Sequence, residues 1–391
     1  MKMTHQLQKN WQRKYVDTSN KKIALTGGGT AGHVTPNIAL AEELKNRNFD
    51  IIYIGTNEGM EKGIVIKYNI PFFSISSGKL RRYFSIDNFK TPFYVLKGVF
   101  DAIKILKEQK VNIVFSKGGY VTVPVVIAAH FLKIPIISHE ADFTPGLANK
   151  INIPFSDIIC TNFKETTKMI KRHKAIYTGC PIRKKLLIGN KDKAKSYFKF
   201  KEDKPILLII GGSLGSLNLN SMIRENLHEL MSKFNIIHSC GKGKIDYNYQ
   251  ENNKDFTIYK YDAYRQYELL TDDLSDIYAY SDLIVARAGA NVIFEILALK
   301  KPNLLIPLGL KASRGDQILN AKSFKKQGYS DYLLEEEYEK DKSLFIKKIN
   351  DIMINKKTYI FSMMNSEAFD SSKKIVDIIE KTLQERNNQN V

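Results

Sequence analysis

Short apolar runs separated by amphipathic stretches recur along the whole chain. They read KKIALT, DIIYIG, VNIVFS, IPIIS and DIICT in the first half, then KPILLII, NIIHSC, SDLIVA and PNLLIP in the second. Runs of this length, rich in Ile and Val, are typical of parallel strands buried on both faces. Because helical patterns lie between the runs, the sequence predicts an α/β protein with parallel sheets and crossover helices.

The two halves begin alike, each with an apolar run that leads directly into glycines. The first reads KKIALTGGG and the second KPILLIIGGS, and a helical pattern follows each loop. We expect the first of these helices to begin at Pro36, since proline suits the first helical position. The repetition predicts two doubly wound domains that face each other across a cleft, where ligands bind in the loops at the carboxyl ends of the strands.

A chain of 391 residues is long enough for two such domains. The first twenty residues are polar and basic without the apolar core of a secretory signal, and we expect a flexible extension there. A Lys-rich stretch with Gly189 and Asn190 suggests the junction between the domains, and an amphipathic pattern near the end predicts a closing helix. The expected segments are an N-terminal extension (1–20), a first domain (21–182), a linker (183–204), a second domain (205–365) and a C-terminal helix packing back on the first domain (366–391).

The charge balance points to an anionic partner. The formal net charge is +19, which suits nucleic acid, a phosphorylated ligand or the negatively charged inner leaflet of a membrane. No helix-turn-helix, RNP or zinc-spacing signature supports nucleic acid. The longest apolar stretch, 121–132, is too short to span a bilayer. The three widely spaced cysteines fit free thiols in a reducing compartment.

Four glycine-containing loops each follow an apolar run and precede a helical pattern. They are GGGTAGH (27–33), SKGGY (116–120), GGSLGS (211–216) and ARAGA (286–290). A single loop of this kind is as consistent with a structural turn as with a binding site. Several helix N-termini at one cleft would bind a diphosphate, and with no Asp-x-Asp motif present we predict metal-independent chemistry. Glu295 lies one helical turn beyond the fourth loop, where its carboxylate could accept hydrogen bonds from ribose hydroxyls or simply be solvated or salt-bridged.

His33, in the first glycine loop, is our candidate for a general base. An imidazole with an ordinary pKa near 6.5 suits proton transfer at neutral pH. The alternative interpretation is that His33 donates a hydrogen bond to a phosphate or only stabilises the conformation of the loop. His139, Glu140 and Asp142 follow another apolar run and are the alternative bases.

Basic and large apolar residues alternate between Gly78 and Phe100. The segment contains Lys79, Leu80, Arg81, Arg82, Tyr83 and Phe84. Cations pair with anionic headgroups and aromatic side chains favour the membrane interface, so the segment is a candidate membrane contact. The alternative is a helix whose apolar stripe covers the first sheet, which would account for Val99, Ile103 and Leu106.

Seven segments follow one another in order between about Lys22 and about Tyr329. They are GGGTAGHVTPNIALAEEL, SSGKLRRY, FSKGGYVTVPVVIAA, HEADFTPGLANK, GGSLGS, RAGANVIFE and SRGDQILNA. Together they resemble the MurG family of inverting glycosyltransferases, which have the GT-B fold of two Rossmann-like domains and belong to glycosyltransferase family 28. The resemblance implies donor contacts from both halves of the chain. These are Thr30, Ala31 and Gly32 on the sugar and phosphates, Arg183 at the donor, Ser213 on the diphosphate, the backbone of Ala290, Asn291 and Val292 around the diphosphate, Glu295 on the ribose, and Gln317 on the sugar hydroxyls, with Tyr120 on the acceptor side.

The same resemblance implies transfer of N-acetylglucosamine from UDP-GlcNAc to the 4-hydroxyl of MurNAc in undecaprenyl-pyrophosphoryl-MurNAc-pentapeptide, called lipid I. Implied partners are UDP-GlcNAc, lipid I, anionic inner-leaflet lipids and other cell-wall synthesis proteins, with no cofactor, no metal and no nucleic acid. The implied location is peripheral, on the cytoplasmic face of the bacterial cell membrane. Asp142 stands where many members carry an asparagine, and Asp316 where some carry a glutamine. The alternatives are a GT-B transferase acting on diacylglycerol and a non-enzymatic basic protein that binds nucleic acid.

Overall fold

A computed structural model describes residues 21–78, 87–170, 174–212, 214–252, 257–270, 273–310, 314–367 and 370–389. The expected extension 1–20, the candidate membrane residues Lys79, Leu80, Arg81, Arg82, Tyr83 and Phe84, and the candidate donor contact Ser213 lie outside the described residues. In the described ranges the strands are β1 (Lys22–Thr26), β2 (Asp50–Thr56), β3 (Phe72–Ile75), β4 (Ile113–Ser116), β5 (Ile136–Glu140), β6 (Ile158–Thr161), β7 (Lys174–Tyr177), β8 (Ile206–Ile210), β9 (Asn235–Ser239), β10 (Gln250–Asn252), β11 (Thr257–Tyr259), β12 (Tyr264–Tyr267), β13 (Leu283–Ala286), β14 (Asn303–Leu305) and β15 (Asp331–Tyr332).

Helices alternate with these strands. They are α1 (Ala31–Asn46), α2 (Met60–Ile66), α3 (Asp87–Glu108), α4 (Thr122–Phe131), α5 (Leu147–Asn152), α6 (Lys164–Met169), α7 (Lys191–Phe198), α8 (Leu217–Glu225), α9 (Leu227–Lys233), α10 (Leu274–Tyr280), α11 (Ala290–Leu299), α12 (Asp316–Lys326), α13 (Glu335–Lys340), α14 (Ser343–Ile354), α15 (Lys356–Met364) and α16 (Ser371–Gln389). Short 3₁₀ helices cover Ile153–Phe155 and Lys184–Leu187. In the ranges that the structure covers, no helix is long and apolar enough to cross a membrane.

Two parallel sheets form the framework. The first has seven strands in the order β3-β2-β1-β4-β5-β6-β7, and the second has six in the order β12-β9-β8-β13-β14-β15. Every pairing within the two sheets is parallel, whereas β10 and β11 form a separate antiparallel pair. The prediction of two doubly wound α/β domains is therefore confirmed.

Helices cover both faces of each sheet, and the alternation of side chains along a strand places them in two apolar cores. In β1, Ile23 and Leu25 belong to one core and Ala24 to the other. In β8, Leu207 and Leu208 divide in the same way. This burial on both faces explains why the strands are continuous apolar runs.

The prediction that the first helix begins at Pro36 is wrong, because α1 begins at Ala31. Thr30 has an extended backbone (φ −147°) and no side-chain cap, so the helix starts directly at the end of the glycine loop. Proline has no N–H, and within a helix it leaves the carbonyl four residues earlier without its usual donor. Here that carbonyl belongs to Gly32, and it is bonded from outside the helix.

The C-terminal helix α16 crosses to the first domain. Its Ile375, Val376 and Ile379 are buried in the core that also contains Ile23. Arg47, the residue that follows α1, forms ion pairs with Asp377 and Glu380 of α16, with N–O distances of 3.0 and 2.8 Å. The last helix thus ties the end of the chain to the first sheet.

The stretch expected as a linker, 183–204, is packed rather than free. Leu186, Ala194 and Phe198 are buried in the core formed by one face of the second sheet. The domain boundaries themselves stay predictions.

Candidate active site between the two domains

The first glycine loop, 27–33, is held from below by a carboxylate and covered by an aromatic ring. Glu61 of α2 is fully buried; its Oε1 accepts the Thr56 N–H at 3.0 Å and its Oε2 accepts the Gly29 N–H at 3.3 Å. Gly29 has φ +82°, and a Cβ there would lie 2.8 Å from the ring of Tyr120. Glycine is therefore required at this position, and Tyr120, predicted on the acceptor side, contacts the loop directly. Sequence analysis missed Glu61, which lies in no glycine motif.

Two helix N-termini meet across the cleft. Helix α1 starts after Thr30 and helix α11 after Gly289, and neither start has a side-chain cap. Asn291 of α11 donates its Nδ2 to the Gly32 carbonyl at 2.9 Å and to the Thr35 hydroxyl at 3.3 Å. The predicted contacts Ala31, Gly32, Ala290, Asn291 and Val292 thus all lie in these two first turns, where uncapped N–H groups favour an anion.

His33 is held through one ring nitrogen. Its Nδ1 lies 3.0 Å from the Gly28 carbonyl oxygen and 3.1 Å from the Thr30 hydroxyl. Because a carbonyl oxygen only accepts, Nδ1 carries the proton and Nε2 keeps its lone pair. Burial, followed by the positive charge of Lys117, lowers the pKa of His33 to about 4. The ring is therefore neutral at pH 7, as a base must be, but its pKa lies below the ordinary value near 6.5 on which the sequence expectation rested.

His139, one of the alternative bases, is fully buried with both ring nitrogens engaged. Its Nδ1 lies 2.8 Å from the Lys117 Nζ, and its Nε2 lies 3.1 Å from the Gly179 carbonyl. Burial, and after it Lys117, lowers its pKa well below the usual value. This arrangement leaves neither nitrogen for an acceptor hydroxyl and fits a structural role.

Glu140, the second alternative base, fixes the loop that follows it. Its Oε1 accepts the Asp142 N–H at 3.0 Å, and its Oε2 accepts the Gly146 N–H at 3.0 Å and the Asn149 amide at 2.8 Å. Burial, with a smaller contribution from Asp142, raises the pKa of Glu140 to about 6. Both oxygens of this carboxylate are thus occupied by the protein.

Asp142 is bonded to the opposite domain. The amide of Asn320, in α12, donates to Asp142 Oδ1 and to the Ala288 carbonyl, each at 3.1 Å. The N–H of Phe143 donates back to Asn320 Oδ1 at 3.0 Å. Burial raises the pKa of Asp142, and the Asn320 amide opposes that rise. Asn320, which sequence analysis did not single out, therefore joins the two domains beside a predicted sugar contact.

A second link between the domains involves the other unusual aspartate. The Thr144 hydroxyl donates to Asp316 Oδ1 at 3.0 Å, and the guanidinium of Arg314 lies 2.7 Å from Asp316 Oδ2. Next to it, Gln317 uses its Oε1 to accept the Leu308 N–H at 3.1 Å. That bond leaves the Gln317 amide N–H groups to donate, which suits hydroxyl recognition.

Glu295 faces a small cavity between the domains. Thr35, Arg183 and Asn291 line the same cavity. Burial raises the pKa of Glu295, while the charge of Arg183 and a hydrogen bond from Tyr278 lower it. The Tyr278 hydroxyl lies 3.3 Å from Glu295 Oε2. Arg183 and Glu295, predicted from distant parts of the sequence, are therefore brought to the same site.

A buried arginine supports the glycine loops of the second domain. Arg287, the residue before Ala288, donates to the Ile306 carbonyl at 2.9 Å, to the Ser216 hydroxyl and to Glu335 at 2.5 Å. Ser216 caps α8, the helix that follows the GGSLGS loop. Arg287 lies in a quoted motif, but its support of the neighbouring loop could be found only in three dimensions.

In the ranges given above, no group of three or more His, Cys, Asp or Glu side chains is placed to hold a metal ion. Metal-independent chemistry remains a prediction.

Helix α3 has an apolar side on the core and an apolar side on the solvent. Val99 and Leu106 are buried against the first sheet, and Ile103 packs on the same core, in agreement with the structural alternative for these three residues. In contrast, Phe93 is 76% and Phe100 65% exposed. These two large apolar side chains, seven residues apart, lie on the same side of the helix.

Two family models match most of the chain. The glycosyltransferase family 28 N-terminal domain matches residues 23–161, and the glycosyltransferase family 28 C-terminal domain matches residues 206–381. A relative from Clostridium botulinum (strain Hall), 57% identical over 361 residues, covers 92% of this chain and 99% of its own length. A relative from Clostridium tetani is 53% identical over 361 residues, with 92% and 98% covered. Both are named UDP-N-acetylglucosamine-N-acetylmuramyl-(pentapeptide) pyrophosphoryl-undecaprenol N-acetylglucosamine transferase.

Solved structures agree with these matches. The crystal structure of Acinetobacter baumannii MurG superimposes with a TM-score of 0.70 at 26% identity, over 92% of this chain and 99% of that one. A kitacinnamycin glycosyltransferase, at 12% identity, reaches a TM-score of 0.70 over 93% and 99% of the two chains and supports the fold alone. The chain therefore belongs to glycosyltransferase family 28 and, within it, to the MurG group.

Proposed function

We propose that this protein transfers N-acetylglucosamine from UDP-GlcNAc, with inversion, to the 4-hydroxyl of MurNAc in undecaprenyl-pyrophosphoryl-MurNAc-pentapeptide. The product is the lipid-linked disaccharide of the last cytoplasmic step in peptidoglycan precursor synthesis. One observation carries the proposal: the uncapped N-termini of α1 and α11 meet across the cleft, joined by the 2.9 Å bond from Asn291 to Gly32. This geometry suits a nucleotide diphosphate, and the names of the relatives supply the sugar and the acceptor.

The donor would lie between the two first turns. The backbone N–H groups of 290–292, together with Ser213, bind the diphosphate in this proposal, and Arg183 adds positive charge. The Glu295 carboxylate accepts hydrogen bonds from the ribose hydroxyls, and the Gln317 amide donates hydrogen bonds to the sugar. Thr30, Ala31 and Gly32 complete the site from the first domain, and Asp142 is a further sugar contact.

The chemistry needs one proton transfer and one leaving group. The MurNAc 4-oxygen attacks C1 of GlcNAc from the face opposite UDP, the C1–O bond to the diphosphate breaks, and UDP leaves with the bonding pair. His33 Nε2 accepts the hydroxyl proton, since Nδ1 is bonded to Gly28 and the ring is neutral. Helix N-termini stabilise the charge that develops on the diphosphate, so the proposed reaction requires no metal or other cofactor.

The first domain would bind the acceptor at the membrane. Phe93 and Phe100 of α3 enter the interface in this proposal, and the basic segment 79–84 pairs with anionic headgroups of the inner leaflet. Tyr120, on the loop beside the glycines, lies on the acceptor side. Peripheral binding of this kind places the enzyme on the cytoplasmic face of the cell membrane, where other cell-wall synthesis proteins are candidate partners.

The proposal is tested by offering two acceptors in parallel. Labelled UDP-GlcNAc is incubated with a short-chain lipid-linked muramoyl-pentapeptide or with diacylglycerol, and EDTA is present in both reactions. We expect product on the muramoyl acceptor alone. Product on diacylglycerol alone, or on neither, would overturn the proposed acceptor, and product that forms only when EDTA is left out would overturn the metal-independent mechanism.

A further inference from the structure

A tyrosine behind Glu295 has no place in the mechanism above. Tyr278 of α10 is 1% exposed and lies among apolar residues such as Leu208 and Ile296. A buried tyrosine hydroxyl needs a hydrogen-bond partner. In the described part of the chain the partner is Glu295 Oε2, at 3.3 Å.

The two oxygens of Glu295 are thereby made different. Oε2 accepts the tyrosine, whereas Oε1 has no protein donor among the described residues. The same carboxylate faces the small cavity between the domains, together with Arg183 and Asn291. One oxygen is fixed by the protein, and the other can accept a hydrogen bond from a hydroxyl group of a ligand.

We propose that Tyr278 is a positioning residue for nucleotide recognition, holding Glu295 so that its free oxygen accepts the ribose hydroxyls of the donor. This inference rests on the proposed function, because it requires a uridine nucleotide in the cleft. A glutamate side chain has several rotamers, and one bond to a rigid ring selects the rotamer that points Oε1 at the cavity. The hydroxyl also stabilises the ionised carboxylate against the cost of burial, in the same direction as Arg183.

The test compares UDP with 2′,3′-dideoxy-UDP, which lacks both hydroxyls. Calorimetric titration of the full chain gives the ratio of the two dissociation constants for each variant. We expect the wild type to prefer UDP, Glu295→Gln to lose most of that preference, and Tyr278→Phe to reduce it about fivefold to tenfold. A purely structural role of Tyr278 would weaken both ligands equally and leave the ratio unchanged.

Tyr264→Phe is the matched control. Tyr264 is equally buried in the second domain, and its hydroxyl bonds to His238 at 2.8 Å rather than to Glu295. We expect this variant to keep the wild-type ratio. If Tyr278→Phe fails to fold, Glu295→Asp keeps the charge but withdraws the carboxylate from Tyr278, and it should lower the ratio as well.

The outcomes separate this inference from the proposed function. A wild type that binds neither nucleotide would refute the donor site itself. If the wild type binds UDP without preference over the dideoxy compound, the role of Tyr278 is overturned. It is also overturned if Tyr278→Phe, or Glu295→Asp when that variant is needed, shows the same ratio of dissociation constants as the wild type.

Discussion

Replacing Asn291 by alanine should weaken the contact between the two domains. Its Nδ2 bonds to the Gly32 carbonyl at 2.9 Å, and Pro36 removes the N–H that would otherwise serve that carbonyl within α1. When the two domains meet without the Asn291 side chain, the Gly32 carbonyl loses water and gains no donor. We therefore expect weaker binding of a nucleotide that contacts both domains, as the proposed donor does.

The expected loss of UDP binding follows from the removal of one neutral hydrogen bond to a partly buried carbonyl. Such a bond contributes about 1 kcal/mol, which corresponds to about fivefold in the dissociation constant of UDP. Pro36→Ala restores an N–H four residues after Gly32, so the carbonyl is then bonded inside its own helix. In the Pro36→Ala background, Asn291→Ala should therefore change UDP binding by less than about twofold. The two substitutions form a double-mutant cycle with a coupling of at least about 0.6 kcal/mol.

Titration calorimetry with UDP on the four proteins measures this coupling. Asn303→Ala is the control, because the Asn303 side chain donates to the carbonyls of Lys301 and Tyr329 within the second domain. It should leave UDP binding unchanged while lowering thermal stability. Equal losses from Asn291→Ala in the wild-type and Pro36→Ala backgrounds would refute the reasoning.

Three further predictions concern the base, a buried carboxylate and the exposed helix. His33→Ala should lower kcat about 100-fold or more with UDP binding retained. The wild-type rate should fall only as the pH drops through about 4, where the imidazole becomes protonated. Equal kcat values for the wild type and His33→Ala would exclude His33 as the base. The pKa of Glu140 is raised from 4.5 to about 6, so between these pH values the folded state binds a proton that the unfolded state has lost. The free energy of unfolding should therefore fall as the pH rises from 4.5 to 6. Glu140→Gln should remove this fall, which is measured by urea unfolding at the two pH values. Replacing Phe93 and Phe100 by serine should reduce sedimentation with anionic vesicles about tenfold or more, while activity on a short-chain acceptor is kept. The control Phe361→Ser removes a comparably exposed ring (68%) from the second domain and should leave sedimentation unchanged. Equal losses of sedimentation in the two proteins would contradict a specific membrane face.

The central strands of each sheet could be predicted from their apolar sequences, whereas the edge strand β12 could not. The runs that became β1, β4, β8 and β13 are central strands, covered by helices on both faces. The missed β12 reads YRQY and lies at a sheet edge, where Arg265 is buried against the rings of Phe200 and Tyr259. Local sequence carries little sign of such a strand, because its stability comes from contacts with distant residues.

The candidate site divides in the same way. Glycine loops and their helices could be found because backbone geometry demands particular residues there. Glu61, Tyr278 and Asn320 could not, since each lies outside those loops and acts through a partner far away in the sequence. The start of α1 was misplaced because Pro36 is accommodated by Asn291, more than 250 residues later.

The most direct test of the central claim is the structure of the reaction product. The purified protein is incubated with UDP-GlcNAc and a short-chain lipid-linked muramoyl-pentapeptide, and the disaccharide is analysed by mass spectrometry and NMR. The account predicts one added N-acetylhexosamine, linked β to the 4-oxygen of MurNAc, with one UDP released for each sugar transferred. An α linkage, attachment at another oxygen, or release of UDP without any disaccharide would contradict it.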